Sequence, residues 1–199
     1  MKKLIPALFL PTLLIFATVV WGQQNESKAT AALATVPSVD LKRYSGKWFE
    51  IARYANKFQK QCVGNTTATY VIKAAGKVDV INECLKKNGE IDRAKGEARI
   101  VDKTTNAKLE VRFAPGILSF IPAVWGDYWI LELEDNYQYT VIGEPKRKYF
   151  WILSRAPELS DATYQNILRR AEKLGFDPTK VIKTPQKVEA VKGAVIEKP

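Results

Sequence analysis

The sequence contains no histidine, and only two cysteines in 199 residues. Without histidine there is no Ser-His-Asp triad, no Cys-His pair, no His-ligated zinc and no proximal-His haem. Cys62 and Cys84 alone cannot build a cysteine-rich metal site, so no metal and no cofactor is expected. Acid is short as well: 21 Asp and Glu face 31 Lys and Arg, a formal charge of +10 that favours anionic partners. What remains is a globular composition, 46% hydrophobic and 26% charged, which excludes a disordered or fibrous chain. The length suits one domain plus a processing segment.

The one long apolar run, Leu4 to Trp21, follows Lys2 and Lys3 and is broken by Pro6, Pro11 and Thr12. A basic start, an apolar stretch and small residues after it predict a secretory signal over 1–22, cleaved after Gly22. Ala32-Leu33-Ala34 is a second cleavage candidate, farther from the run. The competing reading is an uncleaved membrane anchor, against which stand the short run and its prolines. No cysteine lies near the cleavage region, so lipoprotein acylation is not expected. Export makes a Cys62–Cys84 disulfide chemically reasonable; the alternative is two free thiols. Two sequons, Asn25-Glu26-Ser27 and Asn65-Thr66-Thr67, matter only in a eukaryotic secretory route. Polar, Ala/Thr-rich residues 23–37 read as a flexible leader, 38–185 as the folded domain, and 186–199 as a loose tail.

The body has period two. Phe49, Ile51 and Arg53 alternate with Trp48, Glu50, Ala52 and Tyr54. Residues 66–73 and 77–84 form a hairpin about Ala75-Gly76. Further strands are predicted over 91–101, 108–113, 127–134, 138–143 and 148–155. Short links imply antiparallel neighbours. Eight such strands predict an up-and-down barrel, just wide enough for one small ligand; a sandwich is the alternative. After it, Ser160 caps a helix ended by Gly175, with Tyr164, Ile167, Leu168, Ala171 and Leu174 on one apolar stripe that packs on the barrel's outside. Residues 180–183 are predicted as a short extended piece.

Three segments carry a resemblance. Tyr44 to Arg53 contains Gly46-Lys47-Trp48, Gly126-Asp127-Tyr128 opens the sixth strand, and Tyr149 to Arg155 reads YFWILSR. In this order and spacing, before one amphipathic helix, they resemble the lipocalins, most closely the bacterial and apolipoprotein D-like branch. Gly126 departs from the family's Thr at that motif. The resemblance covers residues 38–185. It implies an all-β, eight-stranded antiparallel barrel with a C-terminal α-helix outside, and a cavity for a lipophilic small molecule.

The same resemblance puts links 56–65, 85–91, 114–126 and 144–148 at an open mouth, with Cys62 and Cys84 there together. Gly46, Trp48 and Arg155 read as structural, the guanidinium lying over the indole at the closed end. Trp151 maps onto the family's ligand-stacking tryptophan. Strand parity adds Leu109, Val111 and Phe113 as inward candidates, with Tyr54, Tyr70, Asn82, Ala98 and Ile100; each has ordinary barrel packing as its other reading. Loop 114–126 is unusually apolar, with Phe120 and Trp125 prominent, and reads equally as a ligand mouth, membrane contact or subunit interface and as a folded lid. Lys57, Lys60, Lys86, Lys87, Lys146, Arg147 and Lys148 form a basic rim, or a merely solvated charge run.

The expected function is binding, storage or transport of a fatty acid or lysophospholipid, tied to envelope lipid maintenance in the periplasm, at the outer membrane or after secretion. The expected state is a monomer or homodimer. A lipocalin-type enzyme is an alternative, its capable groups being Glu50, Tyr70, Cys84 and Asp127. So is a protein that docks on an anionic membrane surface. Nucleic acid is excluded as a partner, since the basic residues are not interleaved with aromatics along a groove.

Overall fold

The computed structural model describes residues 32–73 and 76–189. The signal or anchor over 1–22, the leader up to 31, Ala75 of the predicted turn and the tail from 190 lie outside the described residues. Nine strands follow the predicted order: β1 (Gly46–Tyr54), β2 (Cys62–Ile72), β3 (Lys77–Lys86), β4 (Ile91–Ile100), β5 (Lys108–Arg112), β6 (Gly126–Leu133), β7 (Tyr139–Gly143), β8 (Phe150–Ser154) and β9 (Val181–Lys183). Consecutive strands β1 to β8 pair antiparallel, and β1 returns to β8, so the sheet closes into a barrel. The sandwich alternative is excluded by that closure.

A short helix, α1 (Leu41–Tyr44), precedes β1, and α2 (Asp161–Lys173) follows β8. Ser160 accepts from the Thr163 amide as the α2 cap. Tyr164, Ile167 and Ala171 are buried against Ala52, Tyr54, Val141, Phe150 and Ile152 on the barrel's outer wall, with Phe176 just past the helix joining the cluster. A second cluster fills the interior, with Trp48, Ala68, Tyr70, Val80, Ala98 and Ile142 among its members. Alternation along each strand divides the apolar residues between these two cores.

A bulge decides part of that division. On β1, Glu50 pairs with Leu153, and Ala52 pairs with Ile152, so one residue is skipped. Trp48 and Glu50 face inward before the skip; Arg53 faces inward after it, opposite Trp151. Tyr54 therefore points outward, against Phe150 and Phe176, where strict alternation from Trp48 had put it inside.

Closure is shared between two partners. The first half of β1, Gly46–Phe49, pairs with β2, while its second half, Ala52–Tyr54, pairs with β9. Both use the edge that β8 leaves free. Beyond β9 the chain continues into the same gap: the Gln186 amide donates to the carbonyls of Glu50 and Thr66, and Asn65 exchanges two bonds with Val188. The segment expected to be loose from 186 thus begins as a hydrogen-bonded seam. The leader is corrected at its other end too, since Leu33 is buried in the outer core and the Val36 amide donates to the Ile130 carbonyl.

Candidate functional site

The base of the barrel is closed by side chains whose bonds all run to one short stretch of backbone. Trp48 is fully buried and donates from its indole to the Tyr44 carbonyl at 2.8 Å. The Arg155 guanidinium lies 3.8 Å from the Trp48 ring centre. It also donates to the carbonyls of Arg43, Tyr44, Ser45 and Lys47 at 2.7–3.1 Å. Gly46 has φ +92, a backbone conformation that disfavours any side chain there, and it sits directly beside the guanidinium.

Above this plug lies a floor of three phenols. The Tyr128 hydroxyl bonds to Tyr44 and Tyr70, each at 2.8 Å. Burial pushes the Tyr70 pKa to about 12 and those of Tyr44 and Tyr128 well up, so all three remain neutral donors and acceptors. The void among Tyr44, Tyr70, Tyr128, Ala98, Leu109 and Val111 is about 20 Å³. That is room for one water, against about 300 Å³ or more for an ordinary ligand pocket. The expected greasy hollow is therefore corrected in this half: the side chains fill it.

The mouth half is built differently. Trp151 stands on the inner wall with Tyr149 stacked beside it, centroids 5.8 Å apart and planes at 15°, and Phe58 packs on Tyr149. A 3-10 turn, Lys57–Gln59, covers them. Its Gln59 accepts from the Trp151 indole at 3.2 Å and donates to Glu50 at 2.6 Å. Thr184, just past β9, donates to the other Glu50 oxygen at 2.5 Å. Glu50 is buried, and that burial raises its pKa above the usual carboxylate range, against the lowering effect of its Thr184 and Gln59 bonds and of Arg53. A roof is thus hydrogen-bonded onto the wall.

The candidate ligand residues divide accordingly. Leu109, Tyr70 and Ala98 belong to the packed floor, with Val111 and Ile100 partly buried against it. Trp151 faces the mouth half. Asn82, opposite Ala68 on the inner wall, has a buried Oδ1 with no hydrogen-bond partner. Phe113 lies just beyond β5 and is 44% exposed, and its ring covers Gly96, which shares strand parity with the interior Ala98. Tyr54 is outside, as described. Sequence reasoning passed over Tyr44 and Tyr128, and over the inward turn of Arg53; the bulge that aims Arg53 leaves no local signature.

At the mouth the expected disulfide is present, and the loops depart from expectation elsewhere. Cys62 and Cys84 are bonded to each other, their Cα atoms 5.6 Å apart. Trp125 lies on the guanidinium groups of Arg99 and Arg112, at 4.1 and 5.1 Å, on the outer face of β4 and β5. Phe120 and Ile117 stay 78% and 80% exposed. Arg147, counted in the basic rim, donates instead to the Leu174 carbonyl at the end of α2, and Lys86 is paired with Glu90. Among the described residues no group of three or more His, Cys, Asp or Glu is placed to hold a metal ion.

Comparison with known proteins matches residues 39–186 to the lipocalin-like domain family. Temperature-induced lipocalin-1 of Arabidopsis thaliana is 39% identical over 156 residues, covering 77% of this chain and 83% of its own. The outer membrane lipoprotein Blc of Escherichia coli K12 is 34% identical over 151 residues, 75% of this chain and 81% of its own. Insecticyanin from the tobacco hornworm Manduca sexta superposes with a TM-score of 0.63 at 24% identity, covering 81% of this chain and 88% of that one.

Proposed function

Since this chain belongs to the lipocalin family, whose members generally bind small hydrophobic ligands, we propose that it carries a lipophilic small molecule in the mouth half of its barrel. The observation that supports this most is the inner-wall Trp151, stacked with Tyr149 above the tyrosine floor and held under a hydrogen-bonded roof. The ligand class is a fatty acid or lysophospholipid. Burying a twelve-carbon chain supplies roughly 10 kcal/mol gross, at about 0.8 kcal/mol per CH₂. Ordering the chain and opening the roof take back much of it. The part proposed is carriage; of the groups capable of chemistry, Cys84 is bonded to Cys62 and so offers no free thiolate.

Export fits this reading. The basic, apolar start of the sequence is proposed as a signal, and a similar protein is named an outer membrane lipoprotein. The site of action is then the cell envelope or beyond it, in lipid maintenance. The test is extraction and mass spectrometry of lipids bound after expression, with titration of Trp151 fluorescence. An amphiphile recovered at near-stoichiometric amount, and quenching lost in Trp151→Phe, is expected. A barrel that returns no lipid and shows no quenching ends the proposal.

A second reading rests on Ile117 and Phe120, exposed at the tip of a mouth loop in a chain of charge +10. Such a tip inserts into an anionic bilayer surface while lysines hold the headgroups. Flotation with anionic vesicles should carry the wild type and lose Phe120→Glu; equal flotation of both removes this reading.

A further inference from the structure

Among the described residues, Arg53 is the least satisfied of the largely buried charges. It is aimed inward by the β1 bulge, opposite Trp151, and its side chain is only 12% exposed. Its Nε is buried without a hydrogen-bond partner. Among the described residues its one polar contact is a Glu50 oxygen at 3.5 Å, an ion pair too long for a hydrogen bond. Glu50 has its shorter bonds elsewhere, to Gln59 and Thr184. A guanidinium offers five donors in a planar fork. Here the charge is held in place but its hydrogen-bonding capacity is unspent. Leaving such a group unpaired inside a protein is costly unless something else completes it.

We propose that Arg53 is the anchor for the anionic head of the carried amphiphile, so that the head sits inside the barrel beneath the Lys57–Gln59 roof rather than outside among the mouth lysines. The inference rests on the carrier reading above and adds to it a residue and a ligand class. A carboxylate or a phosphate monoester matches the fork; an alcohol or a methyl ester does not. The acyl chain then lies along Trp151. Glu50, the arginine's ion-pair partner at 3.5 Å, has both its oxygens bonded already, to Gln59 and Thr184, so it does not fill the fork.

The experiment measures displacement of the neutral probe N-phenyl-1-naphthylamine from the full chain. Competitors are tetradecanoic acid against tetradecanol, and lysophosphatidic acid against monoacylglycerol, for wild type, Arg53→Met and Arg53→Lys. Wild type should prefer the acid of at least one pair by ten- to a hundredfold, the range of a charge-assisted pair. Which pair shows it tells carboxylate from phosphate. Arg53→Met should bind the acid no better than its neutral partner, with affinity for the neutral one unchanged. Arg53→Lys, with charge but no fork, should fall between. Thermal melting of the ligand-free protein should be unchanged or raised in Arg53→Met, because the arginine makes no hydrogen bond there.

If Arg53→Met keeps the preference for acid, the anchor is overturned. A lowered melting point or failure to fold overturns it too, since Arg53 would then be structural. If wild type binds probe, acid and neutral ligand alike without preference, the anchor falls and the carrier reading stands. If wild type binds none of them, it is the carrier reading that has failed.

Discussion

At the base of the barrel Arg155 spends its whole guanidinium on the protein itself, one face on Trp48 and its N–H groups on four carbonyls. Arg155→Met should therefore destabilise by about 2–4 kcal/mol, read as a lower urea midpoint, and Arg155→Lys should recover little of it. Arg53, the other arginine on the inner wall, spends almost nothing. Glu50 offers a different test. Its folded pKa is raised by burial, so folding takes up a proton there. Its contribution is fullest below the ordinary glutamate pKa and is lost as pH rises through the raised value. The stability of wild type relative to Glu50→Gln should thus improve as pH falls from neutral toward 4.5. A difference that stays flat with pH, measured by denaturation at each pH, would contradict this.

Helix α2 is held by packing far more than by propensity. Ile167 is fully buried between the helix and the barrel wall. Ile167→Ala should cost about 2–5 kcal/mol in chemical denaturation, whereas Ser160→Ala, which removes one cap bond, should cost about 1. The roof over Trp151 is an element of another sort, a single turn capped by Asn56 and fastened to the wall by Gln59 and by Phe58 on Tyr149. Gln59→Ala removes its bonds to both Trp151 and Glu50. The open form should then be more populated, and stopped-flow association of a fatty acid several-fold faster, since a ligand sees only the competent fraction. An unchanged rate would show that entry lies elsewhere.

For the molecule as a whole, the proposed carriage through a closed roof above a packed lower barrel couples binding to opening. A ligand held only by the folded barrel should raise the unfolding free energy by about 2.7 kcal/mol at a hundred times its Kd, measured as a melting shift. The same closure depends on the seam in which β9 and residues 184–188 take over where β1 and β2 part. Much of this architecture was legible from the chain. Period-two runs placed eight strands to within a few residues, because a side-chain alternation needs only local sequence. Tyr164, Ile167 and Ala171 marked the helix face by the same logic. The seam was not legible: Gln186 and Val188 meet Glu50, Thr66 and Asn65 only after the ends of the domain come together.

The sequence by itself determined the fold class, the family, the plug of Trp48 under Arg155, and the absence of histidine chemistry. Each follows from residue identity and from motifs and period-two runs taken in their order along the chain. The tertiary structure alone decided which way β1 turns past its bulge, and so that Tyr54 faces α2 while Arg53 faces the interior. It also decided how much room is left inside. A one-residue slip reverses every later side chain without altering composition or period. A cavity is what remains after all strands have contributed their volume, and no single segment carries that sum.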